Sequence, residues 1–216
     1  AKIRRAFNAK FYRGDGVYAE GQMAALGCAI YHGLVEDKER AAAAGRLAAA
    51  VEEDGGKSLF GILGAKSVPR ALAENGRPDL ALRLFTQPEF PGWANWLQHG
   101  ATTLRENWDN SASQNHIMFG DISACLYEYF AGIVPAPAQP GFRRVTIKPH
   151  PVAGLDAISA WHRAPAGVIR SAWRRESGKL VYEVTLPAGA TGQLCLPGGE
   201  TIRLGAGRRC ITRPEA

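Results

Sequence analysis

No stretch of this chain approaches the ~20 consecutive apolar residues that a membrane-spanning helix needs, which excludes a membrane span. The basic opening, AKIRRAFNAKFYRGDG, is not followed by the roughly 7 to 15 apolar residues of a secretory signal core. The cytoplasm is therefore the default expectation, and the lack of an initiating Met leaves room for a true N-terminus upstream. The four cysteines, Cys28, Cys125, Cys195 and Cys210, have no CxxC or other metal-ligand spacing. Cys28 and Cys125 sit in apolar helical patterns and are expected to be buried thiols, while a bridge between Cys195 and Cys210 across strands stays open. The glycines at Gly14 and Gly16, and at Gly198 and Gly199, fit turns and lack the Lys-Ser/Thr ending of a phosphate loop. No cofactor and no metal are implied.

The bulk composition is that of a globular protein, with 46% hydrophobic and 21% charged residues. A length of 216 residues suits one generous domain or two small ones, and the patterning favours two. The net charge of +6 comes from scattered arginines, with local pairs at Arg4 and Arg5, Arg143 and Arg144, Arg174 and Arg175, and Arg208 and Arg209. In sequence these are neither gathered on one face nor interleaved with aromatics, so solvated faces are expected and no nucleic-acid partner.

The hydrophobic period changes abruptly near Pro135. Before it the spacing is helical: Ile3, Phe7 and Phe11; Met23, Leu26, Ile30 and Leu34; Leu47 and Val51 in an alanine-rich run that Asp37 can cap. A fourth helix is marked by Leu59, Ile62, Leu63, Val68 and Leu72 and stopped by Asn75 and Gly76, a fifth runs from Pro78 to Phe85, and a sixth from His116 to Ile133. After a PAPAQPG linker, Pro135 to Gly141, the period becomes two: Val145 and Ile147; Leu180, Tyr182, Val184 and Leu186; then Gln193 to Leu196 and Thr201 to Leu204. The expected organisation is helical hairpins over 1–134, a linker over 135–141, and a small antiparallel β-sandwich over 142–216. Helical hairpins in series pack as a bundle or as a toroid, and half a toroid would leave core exposed, so a homodimer covering that open face is one expectation.

The segment Gly100 to Asp121, GATTLRENWDNSASQNHIMFGD, follows neither period and concentrates Glu106, Asn107, Trp108, Asp109, Asn110, Asn115 and His116. Trp93 and Trp96 come shortly before it. Aromatic faces stack on sugar rings while carboxylates and amides bind hydroxyls, so this inventory points to a carbohydrate site.

The same stretch resembles the closing helices of the catalytic barrel in the α-L-rhamnosidases of glycoside hydrolase family 78, whose pattern reads G-A-T-T-x-W-E-x-W-D, then N-H-x-M-F-G, then an aliphatic run. GVYAEGQMAALGCAIYHGLV resembles an earlier hairpin of that barrel, FGILGAKSVPRALAENGRPDLALRLFTQPEFPGWANWLQHG the next one, and GFRRVTIKPHPVAGLDAISAWHRAPAGVIRSAW the family's C-terminal β-domain. The resemblance implies a partial (α/α)6 barrel followed by a β-sandwich, and an inverting hydrolase acting on a rhamnose-containing glycoside or oligosaccharide. It places Glu106 as general base, taking a proton from the water that attacks the anomeric carbon, opposite a carboxylic acid roughly 6.5 to 9.5 Å away. It also implies that His116 and Asn115, the Asn-His pair, and Trp108 and Trp93 contact the sugar.

The run rich in Asp, Arg and Glu that carries the family's general acid is missing, and Asp15, Glu20, Glu52 to Asp54 and Glu89 do not sit in such a motif. Arg105 stands where the family has Trp, and Ser58, Leu59 and Phe60 replace a polar, Thr-containing turn. An Arg within ~4 to 6 Å of Glu106 would stabilise its ionised form. The expectation is a C-terminal piece of a longer enzyme without a complete active site of its own; the alternative is a non-catalytic carbohydrate-binding or structural remnant.

Overall fold

The computed structural model describes residues 2–136 and 139–215, which divide into two compact units, Ala1–Ser123 and Ala124–Ala216. Residues 137–138 of the expected linker lie outside the described residues.

The first unit is helical. It begins with α1 (Lys2–Phe11), which has no buried residue and is held at its edges. Asn8 Nδ2 donates to Leu34 O at 2.6 Å, Tyr18 Oη donates to Asn8 Oδ1 at 2.7 Å, and Arg4 pairs with Asp37 at 2.8 Å. Asp15 and Gly16, expected only to separate two helices, turn a small hairpin of β1 (Tyr12–Gly14) and β2 (Val17–Tyr18), both with positive φ as an Asp-Gly turn of this kind requires. Then come α2 (Met23–Tyr31), α3 (Arg40–Glu53), α4 (Ile62–Glu74) and α5 (Pro78–Thr86), each on its predicted period. Asp37 does not cap α3: it opens a short 3-10 turn, Asp37–Glu39, and its carboxylate is engaged by Arg4.

Helices α2 and α4 lie close because Gly27 has no side chain. A Cβ there would stand 2.6 Å from Val68 Cγ2, inside contact distance. Leu26, Ile30, Leu47, Val51, Val68, Leu72, Leu80 and Leu84 are among the buried residues of this unit. Its apolar periodicity runs further than its burial, however. Ile3, Leu59, Leu63 and Ile117, all placed on apolar helix faces by their spacing, are 78%, 50%, 68% and 83% exposed.

The Trp93/Trp96 pair forms a short helix, α6 (Trp93–Gln98), that the periodicity did not reveal. The sixth predicted helix is corrected: a 3-10 turn, Ile117–Gly120, passes into α7 (Asp121–Cys125) and then a π-helical turn, Leu126–Phe130, and Ile133 lies in a strand. Gly132 ends the helical run with φ +78, and a Cβ on it would stand 2.2 Å from Pro149 N. The helix therefore cannot continue through this point.

In the second unit, β3 (Ile133–Pro135), β4 (Arg144–Ile147), β8 (Thr191–Cys195) and β9 (Thr201–Leu204) form one four-stranded sheet in that order. The other, ordered β10 (Gly207–Pro214), β7 (Lys179–Leu186), β6 (Gly167–Glu176) and β5 (Ala157–Ala164), has only antiparallel neighbours. The first sheet is antiparallel except where β4 and β8 pair parallel. The sheets share one core: Val145, Ile147, Leu194 and Leu204 from one meet Ile169, Trp173, Tyr182, Val184 and Leu186 from the other, an arrangement of aligned inward faces. Two buried polar groups in it are satisfied. Trp173 Nε1 donates to Phe130 O at 2.8 Å and Ser171 Oγ to Ala131 O at 2.6 Å. Cys125 is buried as expected and Cys28 only half-buried, with its Sγ 3.1 Å from Ser67 Oγ. Cys195 and Cys210 stand as free thiols on different sheets.

Candidate functional site

Between α6 and α7 the chain makes a long excursion that folds back on itself. Glu106 N donates to Ser113 O at 2.9 Å, His116 N donates to Leu104 O at 2.8 Å, and Thr103 Oγ1 donates to Gln114 O. These bonds bring residue 106 beside residue 116, ten positions apart in sequence. The tip is a tight turn in which Asn110 takes φ 64, a conformation Asn tolerates better than most side chains. Asn107 Nδ2 donates to Ser111 Oγ at 3.1 Å, and Ser111 N donates to Asp109 Oδ1 at 3.0 Å.

The excursion is anchored by its tryptophan. Trp108 Nε1 donates to Phe60 O at 2.6 Å, and Trp108 O accepts from Trp96 Nε1 at 3.0 Å. Its ring lies 4.2 Å from Phe119, 4.6 Å from Trp96 and 5.0 Å from Trp93, the last edge to face at 86°. Aromatic pairs of this geometry add about 0.5 to 1.5 kcal/mol each beyond burial, enough to hold an otherwise polar loop in one place. Trp93 is 5% exposed and its Nε1 donates to Phe119 O at 3.1 Å.

On this support Glu106 and His116 face each other. Glu106 Oε2 is 3.6 Å from His116 Nδ1, just beyond hydrogen-bonding distance, with the two side chains 40% and 29% exposed. Oε2 also accepts from Ser113 N at 3.4 Å. A half-exposed carboxylate of this kind has free lone pairs for a water molecule. Asn115 is exposed, its backbone N–H donating to Ser113 Oγ at 3.3 Å. Among the described residues Arg105 makes no ion pair with Glu106 or any other carboxylate, and its Nε is buried without a hydrogen-bond partner.

The other two carboxylates of the segment are engaged elsewhere. Hydrogen bonds from the Ser111 hydroxyl and backbone hold Asp109 below the usual carboxylate range. Asp121 pairs at 3.2 Å with Arg70, a residue of α4 that also donates to Tyr31 Oη at 2.9 Å and lies 5.4 Å over the Tyr31 ring. Arg70 is 7% exposed, and this link from α2 through α4 to the start of α7 fixes the far end of the excursion. Its sequence signal was a lone Arg among Val68, Ala71 and Leu72, a polar residue on an otherwise apolar stripe.

Comparison with known proteins agrees over both units. Residues 1–130 match the bacterial alpha-L-rhamnosidase 6 hairpin glycosidase domain, and residues 132–209 match the bacterial alpha-L-rhamnosidase C-terminal domain. An alpha-L-rhamnosidase of Streptomyces avermitilis is 29% identical over 214 residues, which is 94% of this chain and 21% of that protein. One from Formosa agariphila is 28% identical over 207 residues, 90% of this chain and 22% of the relative. The crystal structure of the Streptomyces avermitilis enzyme complexed with L-rhamnose superimposes with a TM-score of 0.91 at 27% identity, covering 98% of this chain and 23% of that one. The chain thus spans about a fifth of the length of these relatives. With over half of its residues matched to the hairpin domain and most of the rest to the domain that follows, the chain belongs to the bacterial α-L-rhamnosidases, of which it is the helical part of the six-hairpin glycosidase domain and the C-terminal β-domain.

Proposed function

We propose that this chain supplies the general-base side of an inverting α-L-rhamnosidase site that hydrolyses terminal α-L-rhamnosides. Glu106 is the base, His116, Asn115 and Trp108 contact the sugar, and Trp93 backs them from within the aromatic cluster. The observation that carries this is the half-exposed Glu106 carboxylate held 3.6 Å from His116 on an aromatic floor. Supporting it, the relative of solved structure is complexed with L-rhamnose. The carboxylate accepts a proton from water, and general-base help of this kind is worth about 10² to 10⁴ in rate. The general acid comes from a part of the relatives' length that this chain does not span. Asp109 is already held ionised and Asp121 is paired to Arg70, so neither is poised to donate a proton.

The test is a chimera in which this chain replaces the matching portion of the Streptomyces avermitilis enzyme. Hydrolysis of an aryl α-L-rhamnoside is expected, with inversion at the anomeric carbon seen by NMR and a loss of about 10² to 10⁴ in kcat for Glu106→Gln. The chain alone is expected to release no rhamnose; release that depends on Glu106 would show a complete site here and overturn the division of roles.

A second reading, a non-catalytic rhamnose-binding remnant, is favoured by the engagement of both other carboxylates of the segment. Calorimetric titration with rhamnose separates the two: binding by the chain that survives Glu106→Gln and fails in Trp108→Ala, with an inactive chimera, supports the remnant. The exposed Leu63, Leu97 and Ile117, at 68%, 72% and 83%, further suggest that the helical unit self-associates into a homodimer. A compact monomer in sedimentation velocity at high concentration would rule that out.

A further inference from the structure

The arginines that look scattered in the sequence are gathered by strand register. On the outer face of the β10-β7-β6-β5 sheet, Trp161 stands opposite Arg170, Arg170 opposite Thr185, and Thr185 opposite Arg208. Arg163 lies two residues beyond Trp161 on β5 and so on the same face, while Arg174 and Glu183 lie on it from β6 and β7. Residues opposite one another across an antiparallel pair have Cβ atoms about 4.5 to 5.5 Å apart, so the Trp161 and Arg170 side chains leave the sheet side by side.

Trp161 is 50% exposed, whereas the inward-facing Trp173 of the same sheet is 1% exposed. An indole left half in water on a regular strand makes no contribution to the core that explains its size. The charges around it are unbalanced. Glu183 is already bound by Arg174 at 2.5 Å and by Arg208, and these two arginines hold its carboxyl below the usual range. Among the described residues, Arg163 and Arg170 make no ion pair, and both are exposed. Two free guanidiniums therefore flank one free aromatic face.

We propose that this face is a binding site for an acidic oligosaccharide, one whose sugar rings carry carboxylates. A pyranose ring stacks on Trp161 while its carboxylate is taken in bidentate fashion by Arg170, and the carboxylate of a neighbouring ring by Arg163. Charge complementarity selects an anion, and the single exposed ring selects a sugar over nucleic acid, because single-stranded nucleic acid is held by successive aromatic platforms under successive bases. The neighbouring outward positions Ser159 and Ala172 are small, which leaves room beside the indole for a chain to lie along the sheet. The site is in the second unit and is independent of the role given to Glu106.

The test is calorimetric titration of the purified chain with an oligogalacturonate, with an uncharged oligosaccharide of the same length, and with a single-stranded oligodeoxynucleotide, all at one ionic strength. Binding of the oligogalacturonate is expected, weakened about tenfold or more by Trp161→Ala and by Arg170→Gln, in line with loss of a stacked ring or a charge-assisted bond. Arg13→Gln, which removes an exposed cation from the helical unit, is expected to leave it unchanged. Both site variants alter exposed side chains, and an unchanged melting temperature checks that they fold. Equal weakening by Arg13→Gln would reduce the effect to net charge. Equal binding of the uncharged sugar, tighter binding of the oligodeoxynucleotide, or no binding of the oligogalacturonate would each overturn the proposal.

Discussion

The two units of this chain solve the burial problem differently. In the sheet unit, two faces close over a single core in which Trp173 and Tyr182 are 1% and 2% exposed and the indole N–H has a backbone acceptor. In the helical unit, Leu59, Leu63 and Ile117 repeat the apolar period and yet stay 50%, 68% and 83% exposed. A sandwich needs only its own two sheets to be complete, whereas a hairpin from a toroid buries one side on its neighbours in the ring. The difference teaches that periodicity reports which side of an element is apolar and not what covers it.

The largest expected effect tests the closed core. Trp173→Ala should destabilise the sheet unit by about 3 to 5 kcal/mol, read from urea unfolding, with hydrogen exchange showing the loss confined to residues of the β-domain. A cost under about 1 kcal/mol would mean that this core is far looser than its burial indicates.

Next is the partly buried Arg70–Asp121 pair of the helical unit. Arg70→Met leaves Asp121 without its cation and should cost roughly 2 to 4 kcal/mol, below the full cost of breaking a buried pair because the Asp121 side chain keeps 22% exposure. Arg70→Met combined with Asp121→Leu should restore part of it, and amide exchange in the Glu106 to His116 excursion should follow the same order. No change in that exchange would show that Arg70 does not hold the site segment.

A pH titration sharpens the comparison further. Burial, with a smaller push from Lys148, holds the His150 imidazole below its ordinary value, so His150 stabilises the sheet unit above about pH 6.5 and that contribution is lost as pH falls below it. His150→Gln should flatten the slope of sheet-unit stability below about pH 6.5 while leaving the helical unit's slope unchanged. Arg174 and Arg208 hold the Glu183 carboxyl low, so protonation of Glu183 adds a further decline at more acidic pH.

The smallest effect on stability belongs to the uncovered residues. Leu63→Gln and Ile117→Gln should change unfolding free energy by less than about 0.5 kcal/mol, as expected for exposed positions, while lowering self-association in sedimentation. A loss of stability without a change in association would show that these side chains pack within the unit after all.

Helices α1 to α5 were legible because Met23, Leu26 and Ile30, or Val68 and Leu72, recur at helical spacing, and β7 because Leu180, Tyr182, Val184 and Leu186 alternate. The short α6 carried too few residues for a period. Strands β5, β6 and β10 were masked by arginines and small residues, although buried residues recur at every second or fourth position in β5 and β6. The break in the sixth helix turned on Gly132, whose tight approach to Pro149 is a contact between residues distant in sequence. Within the candidate site, Glu106, Trp108 and His116 stood out by residue type. The roles of Phe60, Phe119 and Arg70 as their supports did not, because each acts through packing or pairing across the chain.

The sequence by itself determined the change from helical to strand period, the family, and the chemistry gathered between Gly100 and Asp121, since these depend on local order along the chain. Only the tertiary structure decided that Glu106 meets His116, that Trp93 is buried in an aromatic cluster, and that Arg163 and Arg170 flank Trp161 on one sheet face. The physical reason is common to all three. Each is a contact set by backbone hydrogen bonding or packing between residues that the local period leaves unrelated.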